Sequence, residues 1–437
     1  GSISSPISPA QPKLVPLVYR QRAKGLRLIL APHHSVWDGR YANNAWLQEC
    51  PAPFTKEVWG NALHLAPEDA HDLDLADGDT ADITIGLHSL AVPVAVMDGQ
   101  ARGVAWASIG QGRAAAGRIG TGVGCRYTGF ADIPFSWHLD AVRISKSAKS
   151  VALRSTQGHT RLQGRAEDLF QTTSPGAPAH AKTKPLPPSM LPVPSRDEYA
   201  WAMVIDTDAC IGCNACVVAC QAENNVPVVG PEEISQGRDM HWLRVDSYAI
   251  TEKEQQRRGF QTVPCMHCEL APCEPVCPVE ASVHDHEGLN VQVYNRCIGT
   301  RFCEANCPYK VRRFNWFAYG GEQAYAGEGD ALKAQHNPDV SVRGRGVMEK
   351  CNYCLQRISR ARRTAEKEGR RIAEGEMVTA CQAACPTRAI HFGDLNTAGS
   401  DVSRGRQDAR HYTLLEELNT RPRTTFLKRI YDDEDGT

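Results

Sequence analysis

Cysteine is the residue whose number and spacing in this chain point most directly to chemistry. Of 17 cysteines in 437 residues, fifteen lie between Cys210 and Cys385. They fall into four groups: Cys210, Cys213, Cys216 and Cys220; Cys265, Cys268, Cys273 and Cys277; Cys297, Cys303 and Cys307; and Cys351, Cys354, Cys381 and Cys385. Thiolates repeated at such short intervals are typical ligands of iron–sulfur clusters, which carry single electrons.

The spacing within the groups has a geometric reason. A cubane cluster needs thiolates that converge on a compact iron–sulfide core from several directions, and a loop with cysteines two residues apart can wrap one cluster. A further cysteine, carried onto a helix, points away to a neighbouring cluster. Proline follows the last cysteine in three groups and fixes the backbone direction there, whereas the first group has Gln221. Four groups therefore predict two pairs of clusters.

Other uses of cysteine fit this spacing less well. Zinc favours separate CxxC pairs that give tetrahedral sites, whereas the first group is a continuous ladder. Covalent c-type haem requires CxxCH, and the CxxC pairs here are followed by Asn214, Val217, Glu269 and Leu355. Disulfides would leave the Cys-Pro endings unexplained. We therefore predict iron–sulfur clusters and no covalent haem.

Thr300 marks a gap in the third group. It lies midway between Cys297 and Cys303, where a cysteine would complete the ladder. Four cubanes would need one thiolate more than the fifteen present, so we predict one 3Fe-4S cluster beside three 4Fe-4S clusters. A 4Fe-4S cluster with a hydroxyl or water ligand at Thr300 is the alternative. Loss of one thiolate charge also predicts a higher reduction potential at this position.

The segments around the cysteines divide the chain into five parts. Residues 1–14 are Ser- and Pro-rich and predict a disordered lead-in. Residues 15–135 contain short apolar runs broken by turn residues, which is typical of a small β-rich domain. Residues 136–198 are polar and Pro-rich and predict a surface linker. The cysteine region spans residues 199–395. Residues 396–437 are predicted to be a tail that ends in a solvated acidic run.

Composition argues against several classes of function. The formal net charge of −1 lacks the basic surplus that neutralises phosphates, so nucleic acid is not the expected partner. The longest apolar stretch, Leu90 to Met97, contains Pro93 and is too short to cross a bilayer. The first residues lack a basic stretch followed by an apolar one, so we predict no secretion signal there.

Several conspicuous residues have ordinary structural interpretations. The glycines between Gly110 and Gly124 are predicted to be turn residues and not a phosphate-binding loop, because no βαβ unit frames them. Cys50 and Cys125 are predicted to be small buried apolar residues.

Charged and imidazole side chains add no catalytic group. His33, His34 and His267 have no partners at metal-binding spacing. The segment Arg357–Arg371 carries seven basic and two acidic residues and predicts an exposed helix, either a solvated face or a docking face for a partner. No catalytic constellation stands out, so we expect this chain to transfer electrons and to catalyse no bond chemistry itself.

The chain resembles the iron–sulfur electron-transfer subunits of molybdopterin oxidoreductases. The motifs that carry the resemblance are PCMHCELAPCEPVCPVEA, NRCIGTRFCEANCPYKVRRFNWF and TACQAACPTRAIHFGDLN. They are similar above all to the fused molybdopterin-like and iron–sulfur subunit of alternative complex III, a bacterial quinol-oxidising complex, and to its relatives among quinone reductase complexes. The resemblance covers most of residues 199–430.

The resemblance implies which cysteines share a cluster. The first site would use Cys210, Cys213, Cys216 and Cys385. The second site would use Cys220, Cys351, Cys354 and Cys381. The third site would use Cys265, Cys268, Cys273 and Cys307. The fourth site, holding the 3Fe-4S cluster, would use Cys277, Cys297 and Cys303.

The part before the cysteines resembles the C-terminal β-barrel domain of molybdopterin enzymes. The predicted fold class is therefore α+β, with this small barrel followed by a tandem bacterial-ferredoxin-like domain for four clusters. The residues that would ligate molybdenum belong to domains upstream of residue 1, so no molybdenum is expected in this chain. An upstream molybdopterin-like portion would be a separate chain or a part removed.

The resemblance also implies a function and partners. Electrons from quinol, oxidised in a multispanning membrane subunit, would enter at the 3Fe-4S cluster and pass toward c-type haem subunits. The chain would lie on the periplasmic face of the bacterial inner membrane. The alternatives are the electron-transfer part of an active molybdenum reductase of the polysulfide or dimethyl sulfoxide type, and a scaffold whose clusters take no part in turnover.

Overall fold

Six strands near the start of the chain close into a β-barrel in this computed structural model. The structure describes residues 25–130, 137–150, 153–158, 162, 164–176, 188–190, 192, 196–252, 255–321, 325 and 334–431. The barrel strands are β1 (Leu26–Pro32), β2 (Leu63–Leu65), β3 (Asp79–Ile85), β4 (His88–Val96), β5 (Val104–Ile109) and β6 (His138–Ser150). Their order around the barrel is β1, β5, β2, β4, β3 and β6. The pairs β1–β5 and β2–β4 are parallel and the other pairs are antiparallel.

Alternating burial explains why these segments form a barrel. In β4, Val92 and Val94 are fully buried, whereas Ala91 beside them is exposed. The inward residues of all strands form one apolar core, with Leu28, Leu30, Leu63, Leu65, Ile83, Ala105 and Ala107 among its fully buried members. Short helices connect the strands: α1 (Ala45–Gln48), α2 (Pro67–Asp72), α3 (Gly117–Gly120) and a 3₁₀ turn at Tyr127–Phe130. The predicted small β-barrel is confirmed.

Gly110, Gly112, Gly122 and Gly124 lie in turns or loops, as predicted, whereas Gly120 ends the short helix α3. Gly112 has φ +75°, and a Cβ on it would lie 2.3 Å from the backbone nitrogen of Arg126. Only glycine fits that close approach without strain.

The barrel extends further along the chain than the sequence indicated. β6 begins at His138, inside the segment predicted as a linker, and it pairs with both β1 and β3. Without β6 the barrel would keep two open edges, so the thirteen residues of this strand belong to the barrel and not to a linker. The predicted lead-in, residues 1–14, lies outside the described residues.

The remaining elements build the cysteine region. The strands are β7 (Thr172–Thr173), β8 (Trp201–Asp206), β9 (Arg244–Glu252), β10 (Gln255–Val263), β11 (Ser282–His284), β12 (Asn290–Gln292), β13 (Arg313–Phe314), β14 (Met348–Glu349), β15 (Ile390–Asp394), β16 (His411–Tyr412), β17 (Thr424–Leu427) and β18 (Arg429–Ile430). The helices are α4 (Ala166–Leu169), α5 (Ala215–Glu223), α6 (Pro231–Ser235), α7 (Phe302–Ala305), α8 (Leu355–Lys367), α9 (Ala380–Ala383) and α10 (Asp401–Gln407), with 3₁₀ turns at Tyr294–Arg296 and Glu416–Leu418. Within the described parts of the chain, no helix is long and apolar enough to cross a membrane.

The segment predicted as a C-terminal tail is part of the folded region. A four-stranded sheet runs in the order β15, β8, β17, β16, and β17 pairs in parallel with β8. All four residues of β17 are buried, and Phe426 lies opposite Ile205. The acidic run 432–435 lies outside the described residues.

A buried carboxylate joins the barrel to the cysteine region. Glu49, which is fully buried, accepts hydrogen bonds from Trp59 Nε1 at 3.1 Å and from the backbone nitrogen of Gly230 at 2.9 Å. The segment that follows it also reaches the first cysteine group, because Asn214 Nδ2 donates to the carbonyl of Pro51 at 2.8 Å. The two parts therefore share an ordered interface beside the cysteines.

Candidate iron–sulfur sites

The first site brings together cysteines from the first and last groups. Cys210 and Cys213 lie before α5, Cys216 lies in its first turn, and Cys385 follows α9. Burial raises the pKa of Cys216 well above its ordinary range, and the charges of the other three thiolates add to the increase. Cys213 is exposed, and the neighbouring Ile211 is 55% exposed. This site is thus close to the protein surface.

The second site surrounds a cavity. The cavity is lined by Cys220, Cys351, Cys354 and Cys381, together with Met203, Asn224, Trp242, Leu243 and Tyr353 among others. Burial raises the pKa of Cys354 to about 12, and the nearby Cys381 adds to the increase. Asn224 Nδ2 lies 3.5 Å from Cys220 Sγ and 3.9 Å from Cys354 Sγ, so one amide contacts both ligands.

The third site is held around a buried guanidinium. Its cysteines are Cys265, Cys268, Cys273 and Cys307. Burial raises the pKa of Cys268 and of Cys307, and the nearby Cys265 and Cys273 add to both increases. Arg312 is 2% exposed, and its Nη2 donates to Cys273 Sγ at 3.0 Å, Ser282 Oγ at 2.6 Å and Asn290 Oδ1 at 2.9 Å. No carboxylate of the described residues forms an ion pair with Arg312, so its charge faces thiolates.

The fourth site contains the gap. Burial raises the pKa of Cys303, while Arg312 opposes the increase and the nearby Cys297 adds to it. Against the effect of its own burial, the pKa of Cys277 is lowered by backbone N–H groups and by Arg312. Arg312 therefore acts on both Cys303 and Cys277, which come from different groups.

The backbone at Thr300 repeats the backbone at Cys213. Gly212 and Asn214, on either side of Cys213, have φ values of +69° and +60°. Gly299 and Arg301, on either side of Thr300, have φ values of +76° and +61°. Two left-handed residues in the same relation to one position are uncommon, so Thr300 occupies the place that Cys213 has in the first ladder. Ile298, the counterpart of Ile211, is 65% exposed.

The Cys-Pro endings share a second local structure. The backbone nitrogen of Ala281 donates to Cys277 Sγ at 3.2 Å, and that of Ala389 donates to Cys385 Sγ at 3.2 Å. A backbone bond from Val311 acts on Cys307 in the same way. Because proline after each cysteine prevents helix formation there, the N–H four residues after the cysteine is free to bind sulfur.

In the first group, where Gln221 follows Cys220, the hydrogen bond to the cysteine sulfur comes from a side chain. α5 continues past Cys220, so the backbone nitrogen of Asn224 donates to the carbonyl of Cys220 at 3.0 Å as in any helix. The Asn224 side chain donates to the sulfur instead. Gln221 in place of proline thus goes with an extra side-chain donor.

The four sites follow one another in a row. Burial is the main cause that raises the pKa of Cys216, Cys351 and Cys303, and in each case the charge of a thiolate from the adjacent site adds to the increase. The pairs that connect adjacent sites are Cys381 with Cys216, Cys265 with Cys351, and Cys273 with Cys303. The first set of cysteines therefore adjoins the second, the second adjoins the third, and the third adjoins the fourth. Ile211, beside the first set, and Ile298, beside the fourth, are exposed.

The residues present fit iron–sulfur clusters. All 17 cysteines are free thiols. Ten of them belong to the apolar core of the cysteine region, where an uncoordinated thiolate would be costly. Hydrogen bonds from N–H groups point at the sulfurs and favour their charged form. Thiolates that converge in an apolar core, with such donors, are what these clusters require.

Comparison with known proteins gives the family. Residues 209–281 and 257–323 each match the description "4Fe-4S dicluster domain". The chain is 41% identical over 236 residues to the menaquinone reductase iron–sulfur cluster-binding subunit of Nitratidesulfovibrio vulgaris, covering 52% of this chain and 89% of the relative. The chain belongs to the family of iron–sulfur subunits of molybdopterin oxidoreductases.

Other relatives of this iron–sulfur subunit serve different reductases. A putative iron–sulfur subunit of dimethyl sulfoxide reductase from Halobacterium salinarum is 33% identical over 239 residues, covering 52% of this chain and 78% of the relative. The Hdr-like menaquinol oxidoreductase iron–sulfur subunit 1 of Archaeoglobus fulgidus is 31% identical over 252 residues, covering 53% of this chain and 85% of the relative. The family relation is thus clear, whereas these names span several substrates.

Sequence reasoning missed the buried cations of the subunit. Arg312 is one, and Lys350 is another: it is fully buried, and its Nζ donates to the carbonyl of Cys351 at 2.7 Å and to that of Asn290. A charged residue directly before a ligand, as in Lys350-Cys351, was the available signal. That signal is weak, because charged side chains in a loop are usually solvated.

The histidines have structural roles in the subunit. His267 is fully buried and stacks on Tyr353 with ring centroids 3.8 Å apart, while its Nδ1 accepts from the backbone nitrogen of Asn290 at 3.1 Å. His33 and His34 lie near the carbonyls of Gly60 and Cys50, at 3.2 and 3.0 Å.

The basic helix α8 is held by ion pairs. The pairs are Arg357 with Glu223, Arg360 with Asp339 and Arg362 with Glu287. Beyond the helix, Arg370 pairs with Glu376. Because these basic side chains already have acidic partners within the chain, the helix is more simply interpreted as a solvated face than as a docking face for a partner.

Proposed function

We propose that this subunit carries electrons within a membrane-associated quinol-oxidising complex. The observation that carries the proposal is that buried cysteines from four ladders lie close together, and that one ladder has Thr300 where the first has Cys213. The similarity of the chain to subunits of a menaquinone reductase and of a menaquinol oxidoreductase supports a quinone–quinol pair as the redox partner. The direction, from quinol to the clusters, follows the resemblance to alternative complex III. The first, second and third sites would hold 4Fe-4S clusters, and the fourth would hold a 3Fe-4S cluster. When bound, such clusters supply one-electron transfer.

The residues of the chain perform two tasks in this proposal. The N–H donors and buried cations hold the thiolates in the charged form that binds iron. The apolar core excludes water between sites. His267, in the loop of the third site, stacks on Tyr353, in the loop of the second site, and so connects the two loops. The sites therefore keep fixed separations, which electron transfer needs because its rate depends on distance.

The partners and the location are part of the proposal. A multispanning quinol-binding subunit would contact the end at the fourth site, and c-type haem subunits would receive the electrons. The barrel would be the C-terminal domain of a molybdopterin-like portion, as in alternative complex III. The assembly would lie on the periplasmic face of the bacterial inner membrane.

Quinol tests the proposal directly. We expect a reduced quinone analogue, added to the intact complex, to reduce the clusters within the time of one turnover, seen as a loss of visible absorption. The control is the same complex with its quinone site inhibited. Clusters that dithionite reduces and quinol leaves oxidised would contradict the proposal and favour a scaffold.

A molybdenum reductase is the second candidate, favoured by the similarity to the iron–sulfur subunit of dimethyl sulfoxide reductase. In that case the electrons would end at a molybdenum centre on another chain. Metal analysis of the purified complex separates the two functions. Stoichiometric molybdenum would contradict a complex of the alternative complex III type.

Thr300→Cys tests the type of the fourth cluster. We expect the oxidised protein to show a spin-half 3Fe-4S signal in electron paramagnetic resonance, and we expect this variant to lose most of it and gain about one iron atom per chain. Thr300→Ser is the matched control and should keep the signal. An oxidised protein that is fully loaded with iron and has no such signal would show that the fourth cluster is a cubane.

A further inference from the structure

Lys56 is a buried residue of the barrel part whose ammonium group has no hydrogen-bond partner among the described residues. It lies between α1 and β2, and it is 1% exposed. Among the described residues, its Nζ has no hydrogen-bond acceptor, and no carboxylate lies within ion-pair distance. Burying an ammonium group without an acceptor is strongly unfavourable, so a partner is missing from the protein atoms.

The surroundings of Lys56 show where that partner must be. The Nζ lies 5.6 Å from the centroid of the Phe260 ring, whose face adds a weak attraction. Burial lowers the pKa of Lys56 to about 8, and the groups that oppose this decrease are Asp246, Cys210, Cys50 and Cys216. Two of these are cysteines of the first site. The same Phe260 ring packs on the loop of that site, since a Cβ on Gly212, between Cys210 and Cys213, would lie 2.5 Å from Phe260 Cδ1.

The one carboxylate among these groups is already engaged. Asp246 accepts two hydrogen bonds from Arg244 Nε, at 2.9 and 3.0 Å, and one from Tyr248 at 3.1 Å. Its charge is therefore compensated by Arg244. Burial raises the pKa of Cys50 to about 12, so it stays a neutral thiol. The thiolates of the first site are what remains to balance Lys56.

The backbone holds Lys56 in place from both sides. Its nitrogen donates to the carbonyl of Ala52 at 3.1 Å, and its carbonyl accepts from the nitrogen of Thr156 at 3.1 Å. Its φ is +58°, a conformation that a lysine adopts only when its surroundings impose it. The Phe54 ring, in the same loop, lies 5.7 Å from that of Phe260. The side chain thus has no simple route to water.

We propose that Lys56 is the counter-charge of the cluster at the first site, so that the barrel completes a redox site of the neighbouring region. The proposal rests on the ligand assignment of the proposed function. A cubane with four thiolates is anionic and becomes more so on reduction, so a fixed ammonium nearby stabilises the reduced form and raises the reduction potential. Lys350 and Arg312 have the same place at the second and third sites, but they belong to the cysteine region itself.

The test is a redox titration of the intact complex with dithionite, followed by electron paramagnetic resonance. Cys213→Ser first identifies the signal of the first site, which is the one it removes or alters. We expect Lys56→Met to shift the midpoint potential of that signal downward and to leave the other signals in place. Lys56→Arg keeps the charge and should stay close to the native potential.

Two controls make the outcome decisive. Lys146→Met removes an exposed barrel lysine, paired with Asp79 at 3.1 Å, and should shift no signal. Iron content is measured for every variant. An unchanged first-site potential in a fully loaded Lys56→Met protein would overturn the proposal, and so would an equal shift of all signals or a loss of iron that Lys56→Arg does not reverse. Dithionite reduces the clusters whether or not quinol does, so failure of the quinol test leaves this result interpretable.

Discussion

Removing the iron from the intact protein is expected to unfold the cysteine region and leave the barrel folded. The reason lies in the two separate cores. Ten cysteines are buried members of the core of the cysteine region, whereas the buried members of the barrel core include no cysteine. In small metal domains, metal binding contributes on the order of 10 kcal/mol, which is comparable to the whole stability of a typical domain.

Hydrogen exchange measured by mass spectrometry checks this expectation. After anaerobic chelation of iron, peptides from β8 and α5 should lose their protection by several orders of magnitude. Peptides from β4 and β5 should keep theirs, apart from the loop between Glu49 and Trp59 that contacts the first site. Retention of protection in β8 and α5 would show that packing holds the region without clusters.

Cys354→Ala is the second change with a large expected effect. Its thiol lines the cavity of the second site and accepts from the backbone nitrogen of Ala380 at 3.5 Å. We expect the variant to lose up to about four iron atoms per chain and the signal of one 4Fe-4S cluster. Quinol-dependent reduction of the first site should stop as well, because the row of sites is interrupted next to it.

Cys125→Ala is the matched control. Cys125 is a free, partly buried cysteine in the barrel, where burial raises its pKa to about 11. Iron content and all cluster signals should remain native in this variant. Equal iron loss from the two variants would contradict the assignment of Cys354 as a ligand.

Local spacing explains how much could be predicted from the sequence. The cysteine groups and the gap at Thr300 follow from residues only a few positions apart, because a loop that wraps a cluster is a local structure. The repeated left-handed backbone at Gly212 and Gly299 gives that local interpretation a geometric basis. The apolar alternation of β4 likewise indicated a barrel strand without knowledge of its neighbours.

Strands whose burial depends on distant partners could not be predicted from local sequence. β6 lies in a polar stretch, since one face of it meets solvent, and only its pairing with β1 and β3 makes it part of the barrel. β17 follows a polar segment, and its burial depends on β8, more than two hundred residues earlier in the chain. Composition alone cannot show such pairings.

The sequence by itself indicated the chemistry of this protein, iron–sulfur clusters, from four groups of closely spaced cysteines, and it singled out Thr300 as the position where one group lacks a cysteine. The tertiary structure decided the order of the four sites and the surroundings of their charges. Arg312, Lys350 and Lys56 look like ordinary basic residues along the chain, yet each is buried without a described carboxylate in ion-pair distance. The physical reason is that ligand spacing is set within a turn of backbone, whereas the desolvation and pairing of a charge depend on every segment that packs around it.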